Sequence, residues 1–281
     1  GAVSTAWYLS DYEGWEEDWD LTVYTLGYKM GGKGAAVRSM GYEGPRILEL
    51  DLSRGEPYLR VVVGAETEFV DQDIDPSLWP PVVVDMEKPY GIAVSSSGRM
   101  YVSDLDKEFV WTFDISSGSG QPLYGADEDG FTNGWFSQPR RMAIQDGNLY
   151  VADSGLHSIC EINIAEGTAS WIVGTGAAGF NGESGVPMAE ALLDTPHGVS
   201  FSPDGRMMIS DSGNDAIRIE NADGTLETVV GLAPTGYAGD EGPALNASLN
   251  FPTDVKMGAD GQVFISDANN AAIRWVANPL F

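Results

Sequence analysis

Four stretches of the chain repeat one short pattern, and each repeat ends in an aspartate. Each begins at a proline, passes through an apolar run and a two-residue turn, and reaches a second apolar run. The prolines are Pro89, Pro139, Pro196 and Pro252, the turns are Ser97-Gly98, Asp146-Gly147, Asp204-Gly205 and Asp260-Gly261, and the aspartates are Asp104, Asp153, Asp211 and Asp267. Asp-Gly between two short apolar runs is the strongest local signal of a β-hairpin. The pattern therefore predicts an antiparallel hairpin at four places.

A third apolar run follows each of these aspartates, and a fourth run closes the first three units. Each unit is therefore predicted to be a meander of four short antiparallel strands. A single small sheet cannot bury both of its faces, so neighbouring sheets must stack on one another. Repetition at this length is typical of a β-propeller. The sequence predicts an all-β fold, a β-propeller of four-stranded antiparallel blades.

The spacing of the aspartates sets the number of blades. They lie 49, 58 and 56 residues apart, so 281 residues hold about five blades, with six as the alternative. We expect a single propeller over residues 1–281. Residues 1–64 would form a divergent first blade plus a closing strand, and residues 65–124, 125–174, 175–231 and 232–281 the clear blades. The last blade stops after its third strand, and residues 5–9 (TAWYL) form a free strand that would close the ring and remove its open edge.

Residues 196–219 (PHGVSFSPDGRMMISDSGNDAIRI) resemble an NHL repeat, and the resemblance extends over residues 65–276. The glycine-rich acidic stretches 179–185 (GFNGESG) and 236–242 (GYAGDEG) are similar to the loops that NHL proteins carry between blades. The resemblance implies a propeller, and it implies binding or scaffolding first, because most such proteins bind proteins, RNA or sugars or build structures. A minority are lyases or hydrolases. Because propellers support many unrelated activities, the fold alone does not give the function.

The charge of the chain excludes several partners. Its 42 acidic and 15 basic residues give a formal net charge of −27. Nucleic acid needs a basic surface, so we expect no nucleic-acid partner. No apolar stretch approaches the roughly 20 residues that span a bilayer, so we expect no membrane insertion. A composition rich in acid and poor in lysine favours an extracellular or secreted protein, periplasmic if the source is bacterial.

The four repeat aspartates allow two interpretations. They could form a ring of carboxylates that holds calcium on the propeller axis, or each could end its second strand and accept N–H groups of the next turn. We favour the second and treat them as structural turn residues, as the NHL resemblance also implies. The candidates for a surface calcium lie instead in the acidic loops, because calcium takes six to eight oxygen ligands. They are Asp127, Asp129, Glu183 and Asp240, and the alternative for each is a solvated loop.

Three further groups of residues are candidates for binding. The start of each first strand lies near a channel mouth, which makes a mixed set of charged and aromatic residues candidates for ligand binding: Tyr90, Arg140, Arg141, His197 and Asp254. The tryptophans Trp15, Trp19 and Trp79 are in loop-like sequence and could contact a protein or a glycan, or cover the first blade. Asn246 begins a glycosylation sequon (NAS), which matters only on a eukaryotic secretory route.

The residues do not assemble a catalytic constellation. The chain has two histidines, His157 and His197, so the three-histidine zinc site of the NHL-like amidating lyase cannot be built. No nucleophile elbow or phosphate loop is present. We therefore predict a non-catalytic module, a rigid scaffold in an adhesion, matrix or filament assembly that binds a protein or itself. It would require no cofactor, with calcium as an option. The alternatives are a calcium-dependent hydrolase or lyase at the channel mouth, and a glycan or small-ligand receptor.

Overall fold

A computed structural model of the protein describes the backbone of residues 22–30, 33–39, 46–51 and 58–64. It describes backbone and side chains of residues 86, 88–114, 119–125, 136–258 and 260–276. Within these ranges, β-strands make five antiparallel sheets. The chain divides into two compact units, residues 2–135 and 136–281. None of the described residues forms a helix long and apolar enough to cross a membrane.

The first unit holds two four-stranded sheets, each with its strands in chain order. The first sheet consists of β1 (Thr22–Met30), β2 (Lys33–Ser39), β3 (Arg46–Asp51) and β4 (Tyr58–Gly64). The second consists of β5 (Pro89–Val94), β6 (Arg99–Asp104), β7 (Phe109–Asp114) and β8 (Ser119–Tyr124). The described residues before residue 65 thus form a four-stranded meander.

The second unit holds three sheets. The third sheet consists of β9 (Pro139–Gln145), β10 (Asn148–Asp153), β11 (Ser158–Asn163) and β12 (Thr168–Val173). The fourth consists of β13 (Ser184–Pro187), β14 (Gly198–Phe201), β15 (Met207–Asp211), β16 (Ala216–Glu220) and β17 (Thr225–Val230). The fifth consists of β18 (Pro252–Met257), β19 (Val263–Asp267) and β20 (Ala272–Val276). The fifth sheet has three strands among the described residues, and the predicted closing strand at residues 5–9 lies outside them.

The hairpin turns are where the sequence predicts them. Gly98, Gly147, Gly205 and Gly261 all have a φ between 81° and 87°, in the left-handed region that glycine adopts without steric cost. Each joins the first strand of a repeat to the second, in antiparallel register. The prediction of four hairpins is confirmed.

The loop prediction for residues 179–185 is wrong in its last part. Ser184 begins β13, which pairs with the outer edge of β17 and gives the fourth sheet a fifth strand. The N–H of Thr228 donates to the carbonyl of Glu183 at 2.6 Å, and Val186 packs on the core. The outer edge of β17 therefore gains partners that a loop would not supply.

Two apolar clusters join neighbouring sheets of the second unit. In one, side chains of the third sheet pack on those of the fourth: Ala152, Ile159 and Val173 against Val199, Met207 and Ile209. In the other, the fourth sheet packs on the fifth: Met208, Ile217 and Ile219 against Val255, Val263 and Ile265. Each fully buried side chain of this size contributes roughly 1.5–3 kcal/mol relative to exposure. The third and the fourth sheet thus each bury one face against the sheet that follows in the chain.

The corresponding face of the fifth sheet is exposed. Phe264, Ile273 and Trp275 stand 56 residues after Met208, Ile217 and Ile219, and they are 42%, 53% and 59% exposed. Phe264 pairs across the strands with Trp275. The side chains that the repeat uses to bury one sheet against the next are therefore left at the surface in the last sheet.

The repeat aspartates tie the end of the second strand to the segment that precedes the first strand. Their side chains are fully buried. Each accepts at least one backbone N–H from that segment: Lys88 to Asp104 at 2.9 Å, Gln138 to Asp153 at 2.9 Å, Asp194 to Asp211 at 2.7 Å and Asn250 to Asp267 at 2.8 Å. Since the proline at the start of the first strand has no N–H, these carboxylates bind the donors just before it.

The other hydrogen bonds and ion pairs of the four aspartates differ between repeats. Asp104 and Asp153 also accept N–H groups of the following turn, from Lys107 for the first and from Gly155 and Leu156 for the second. Asp211 and Asp267 instead bind the side chains of an asparagine and an arginine. The N–H capture expected from the sequence is seen in the second and third sheets, and side-chain partners take its place in the fourth and fifth.

Asp153 provides a direct test of this network. It accepts four backbone N–H groups, from Ser137, Gln138, Gly155 and Leu156. Replacement Asp153→Ala should lower the free energy of unfolding by about 3–5 kcal/mol, because it leaves these donors without their acceptor.

Denaturant titration followed by tryptophan fluorescence measures the change. The control is Glu166→Ala, at an exposed turn, which should change stability by no more than about 0.5 kcal/mol. Equal stability of the two variants would contradict the structural role of the aspartate.

Candidate functional site

The two residues after each repeat proline carry most of the side chains predicted to line a channel mouth. The pairs are Tyr90-Gly91, Arg140-Arg141, His197-Gly198 and Thr253-Asp254. The structure brings Arg141, His197 and Asp254 together within the second unit. Tyr90 belongs to the first unit, where it is buried at the start of β5.

Arg141 of the third sheet forms an ion pair with Asp254 of the fifth. The Nε of Arg141 lies 3.4 Å from Oδ2 of Asp254, and the two side chains are 6% and 2% exposed. Arg141 also donates from Nη1 to the carbonyl of Thr253 at 3.2 Å. Oδ1 of Asp254 accepts the N–H of Val255 at 2.9 Å and lies 3.3 Å from Nζ of Lys256. The charges of this site are therefore balanced mainly by one another.

A glycine in the fourth sheet makes room for this pair. Gly198 occupies the repeat position of Arg141 and Asp254, between them in the chain. A Cβ on Gly198 would lie 2.9 Å from the carbonyl oxygen of Thr253 and 3.2 Å from Oδ1 of Asp254. Such contacts are too close for a side chain. The missing side chain therefore allows sheets that are not consecutive to make an ion pair past the sheet between them.

His197 is held neutral beside this pair. Its ring packs edge-on against Phe251 at 4.7 Å between centroids. Its backbone carbonyl accepts the N–H of Arg141 at 3.2 Å. Burial, together with the smaller effect of the positive charges of Arg140 and Arg141, lowers the pKa of His197 to about 2. A group with this pKa does not take up a proton near neutral pH.

Arg140 takes part in a second contact between sheets. Its Nε donates to Oγ of Ser154 at 2.5 Å, and Ser154 donates in turn to the carbonyl of Pro196 at 3.0 Å. One repeat later, Ser212 donates to the carbonyl of Pro252 at 2.5 Å. The serine that follows the repeat aspartate therefore links each of these sheets to the first strand of the next repeat.

A buried arginine organises the loop before the fourth sheet. Arg218 is fully buried; its Nη1 binds Asp211 at 3.2 Å and its Nη2 donates to the carbonyl of Gly182 at 3.1 Å. Its guanidinium lies 5.0 Å from the ring centre of Phe180, which is 42% exposed. Asn214 donates to the carbonyl of Gly179 at 2.7 Å. The loop is thus held at both ends, with the aromatic ring at its surface.

The loop before the fifth sheet repeats this arrangement. Arg274 donates from Nη2 to the carbonyl of Ala238 at 3.0 Å and to Oδ1 of Asp240 at 2.5 Å, and its Nη1 lies 3.5 Å from Oδ2 of Asp267. The guanidinium lies 5.2 Å from the ring centre of Tyr237, which is 60% exposed. Asn270 donates to the carbonyl of Gly236 at 2.8 Å. Two consecutive repeats therefore present an exposed aromatic ring over an arginine.

The remaining predicted residues lie apart from these contacts. Asp240 is paired with Arg274, and Glu183 is exposed at the start of β13. The described ranges contain no group of three or more His, Cys, Asp or Glu side chains that could hold a metal. Asn246 is exposed in the 3-10 helix Ala244–Asn246. Five predicted residues fall outside the described part of the chain: Asp127, Asp129, Trp15, Trp19 and Trp79.

Sequence reasoning missed the loop residues. Arg218 and Arg274 are part of the repeat pattern, and Phe180 and Tyr237 lie in the acidic loops, but neither pattern indicates a site there. The available signal was the shared spacing D-x-x-N-x-x-x-R in residues 211–218 and 267–274, together with an aromatic residue after the first glycine of each loop. The asparagine and the arginine of that spacing bind the loop backbone only because the sheet brings them under it.

Comparison with known proteins identifies the fold. No protein-family model matches the chain. It resembles an auxiliary nutrient binding protein from Bacteroides thetaiotaomicron with a TM-score of 0.65, at 15% identity over 92% of this chain and 60% of that one. A chain of a nidogen/laminin complex gives 0.61, at 15% identity over 91% of this chain and 76% of that one. The fold is a β-propeller. Its repeats are four-stranded antiparallel sheets.

The chain is also similar to the solved structure of a lyase and, in sequence, to a plant protein. A catalytically inactive virginiamycin B lyase from Staphylococcus aureus, with quinupristin, gives a TM-score of 0.54, at 13% identity over 99% of this chain and 75% of that one. In sequence, the chain is 28% identical over 193 residues to Protein SUPPRESSOR OF QUENCHING 1, chloroplastic, from Arabidopsis thaliana. That match covers 63% of this chain and 18% of the plant protein. This propeller therefore spans less than a fifth of that relative's length.

The buried neutral His197 predicts a loss of stability in acid. Its pKa of about 2 in the fold lies below the value of about 6.5 for an unfolded chain, so the unfolded state binds the proton more readily. Its contribution is complete above pH 6.5 and is lost as the pH falls, by about 2 kcal/mol at pH 5.

The variant His197→Tyr tests this, because the second sheet has Tyr90 at the same repeat position. Between pH 8 and pH 5, the free energy of unfolding of the variant should fall by about 2 kcal/mol less than that of the wild type. An identical pH dependence in both proteins would show that His197 does not resist protonation.

Proposed function

We propose that this propeller is a non-catalytic binding module, a rigid scaffold that contacts a protein partner through the loops between its sheets. The observation that carries the proposal is the pair Phe180 and Tyr237. They hold the same position in consecutive loops, both are exposed, and each lies over an arginine that binds the loop backbone. Exposed aromatic side chains dominate binding energy at many protein interfaces.

The loops suit binding because they are already ordered. Leu192 donates its N–H to Oδ1 of Asn181, and Asn181 donates to the carbonyl of Glu190. In the next loop, Ser248 donates its N–H to the carbonyl of Ala238. A surface that is fixed before association loses little conformational entropy when a partner docks.

The charge around the aromatic rings favours a basic partner surface. Glu183 and Glu190 are exposed near Phe180, and Asp240 and Glu241 are exposed near Tyr237 in the chain. With a net charge of −27, the chain attracts positively charged surfaces and repels acidic ones. We expect a protein with lysine or arginine around its contact patch.

The predicted mouth residues lack the properties of a catalytic acid or base. Arg141 and Asp254 are engaged with each other, and His197 is neutral and packed against Phe251. A general acid or base must reach the substrate proton and have a pKa near the working pH. These contacts support a structural role for the three side chains.

The NHL resemblance leads us to propose a ring of five blades, with residues 5–9 as the missing fourth strand of the last sheet. Support comes from the five sheets and from the exposed face formed by Phe264, Ile273 and Trp275. A fourth strand beside β20 would satisfy its outer backbone groups.

We also propose an extracellular or secreted location, a role in an adhesion or matrix assembly, and the acidic loops as the place where calcium would bind. The acidic composition supports the location. The likeness to a chain of a nidogen/laminin complex is compatible with the assembly.

Loop variants test the binding function. The wild type, Phe180→Ala, Tyr237→Ala and the double variant are immobilised and exposed to an extract of the source organism. A partner captured by the wild type is then purified, and its Kd is measured for each protein. We expect each single change to weaken binding about tenfold or more, because aromatic anchors carry about 2 kcal/mol or more.

The matched control is Phe264→Ala, which removes a similarly exposed aromatic ring from β19. It should leave the Kd unchanged. Equal binding of all variants would contradict the loop site, and capture of no protein would contradict the binding function.

A deletion of residues 1–10 tests the closing strand. If this segment completes the last sheet of its own chain, the truncated protein should unfold at a temperature several degrees lower, since the outer edge of β20 stays unpaired. Thermal unfolding and light scattering measure stability and association. An unchanged melting temperature in a monomeric truncated protein would contradict closure by this strand.

A further inference from the structure

The fourth residue after each of the four repeat aspartates has a left-handed backbone. Glu108, His157, Asp215 and Ala271 have φ values of 59°, 49°, 52° and 49°. This conformation turns the chain between the second and third strands of the second to fifth sheets. It also places two of these side chains, His157 and Asp215, beside the next repeat.

Both side chains accept a backbone N–H from the residue before the next repeat proline. The N–H of Thr195 donates to Nδ1 of His157 at 3.0 Å, and the N–H of Phe251 donates to Oδ1 of Asp215 at 2.6 Å. The first bond joins the third sheet to the fourth, and the second joins the fourth sheet to the fifth. Ala271 belongs to the last sheet and has no acceptor in its side chain.

The donors need this support. Thr195 and Phe251 have φ values of 42° and 55°, a conformation that costs a β-branched or bulky residue energy. Such a backbone persists when surrounding contacts hold it in place. The hydrogen bond from the preceding repeat is one of those contacts, so the two acceptors act at equivalent and strained junctions.

The two acceptors differ in their response to acid. A carboxylate keeps its acceptor oxygen down to low pH, whereas a protonated imidazole has two N–H donors and no acceptor. When His157 takes up a proton, Nδ1 can no longer accept the N–H of Thr195. The carboxylate of Asp194, whose Oδ1 lies 3.6 Å from Nδ1, is the nearest group that can then take the new proton as a hydrogen bond.

We propose that His157 makes the junction between the third and fourth sheets an acid-sensitive latch, whereas Asp215 makes the next junction insensitive over the same pH range. The carboxylate of Asp194, from the segment that carries Thr195, faces His157. Asp153, four residues earlier in the chain, accepts the N–H groups of Gly155 and Leu156. Acid therefore replaces the hydrogen bond from Thr195 with an ion pair to its neighbour Asp194. The latch goes beyond the binding function, since it controls whether the third sheet holds the strained backbone at Thr195.

Amide hydrogen exchange measured by NMR tests the latch at single residues. The protection factors of the Thr195 and Phe251 N–H groups, corrected for intrinsic exchange, are compared at pH 8 and pH 5. Protection of Thr195 should fall about tenfold relative to that of Phe251, the value of one net hydrogen bond. A general loss of stability through His197 lowers both and leaves their ratio unchanged. An unchanged ratio would overturn the proposal.

Exchanging the two acceptors provides matched variants. In His157→Asp, the ratio of the two protection factors should no longer depend on pH, because both junctions then use a carboxylate. In Asp215→His, the Phe251 N–H should become acid-sensitive as well. Asp215 also accepts the hydroxyl of Thr235, so this second variant is judged only by the change between pH 8 and pH 5.

A variant that fails to fold does not end the test. His157→Asn keeps a neutral acceptor oxygen at the same place and should also remove the pH dependence at Thr195. If Thr195 retains its acid sensitivity in a folded His157→Asp or His157→Asn protein, another group is responsible and the latch does not exist.

Discussion

A buried carboxylate at the end of the second strand is the interaction on which the described repeats of this propeller depend. Asp104, Asp153, Asp211 and Asp267 each take a backbone N–H from the segment before the first strand. A carboxylate is expensive to bury alone and stable when its oxygens are filled with donors. The same group therefore closes the repeat on itself and fixes where the chain enters the first strand.

Contacts between repeats are built from the residues that follow this aspartate. The next residue, Ser154 or Ser212, donates to the proline carbonyl of the following repeat. The fourth residue, His157 or Asp215, accepts an N–H from the residue before that proline. Apolar side chains then fill the space between the sheets. A few hydrogen bonds from the turn residues thus connect each of these sheets to the next.

The repeats differ most where function is expected. Gly198 leaves space in which Arg141 and Asp254 form a buried ion pair, so these two charges neutralise each other. In the loops before the fourth and fifth sheets, the exposed rings of Phe180 and Tyr237 lie over Arg218 and Arg274. The buried ion pair therefore has a structural role, and the loops keep exposed side chains that are able to contact a partner.

The hairpins, the strand order and the repeat could be predicted from the sequence, because these depend on neighbours within a few residues: Asp-Gly turns, alternating apolar runs and a proline that starts each first strand. The sequence does not show that Ser184 begins a fifth strand, since that depends on the free outer edge of β17. Nor does it distinguish Arg141, which pairs with a residue 113 positions later, from Arg218, which holds a loop 36 positions earlier. These roles emerge from the three-dimensional fold, because the stacking of sheets and the space left by a glycine determine which residues so distant in the chain become partners.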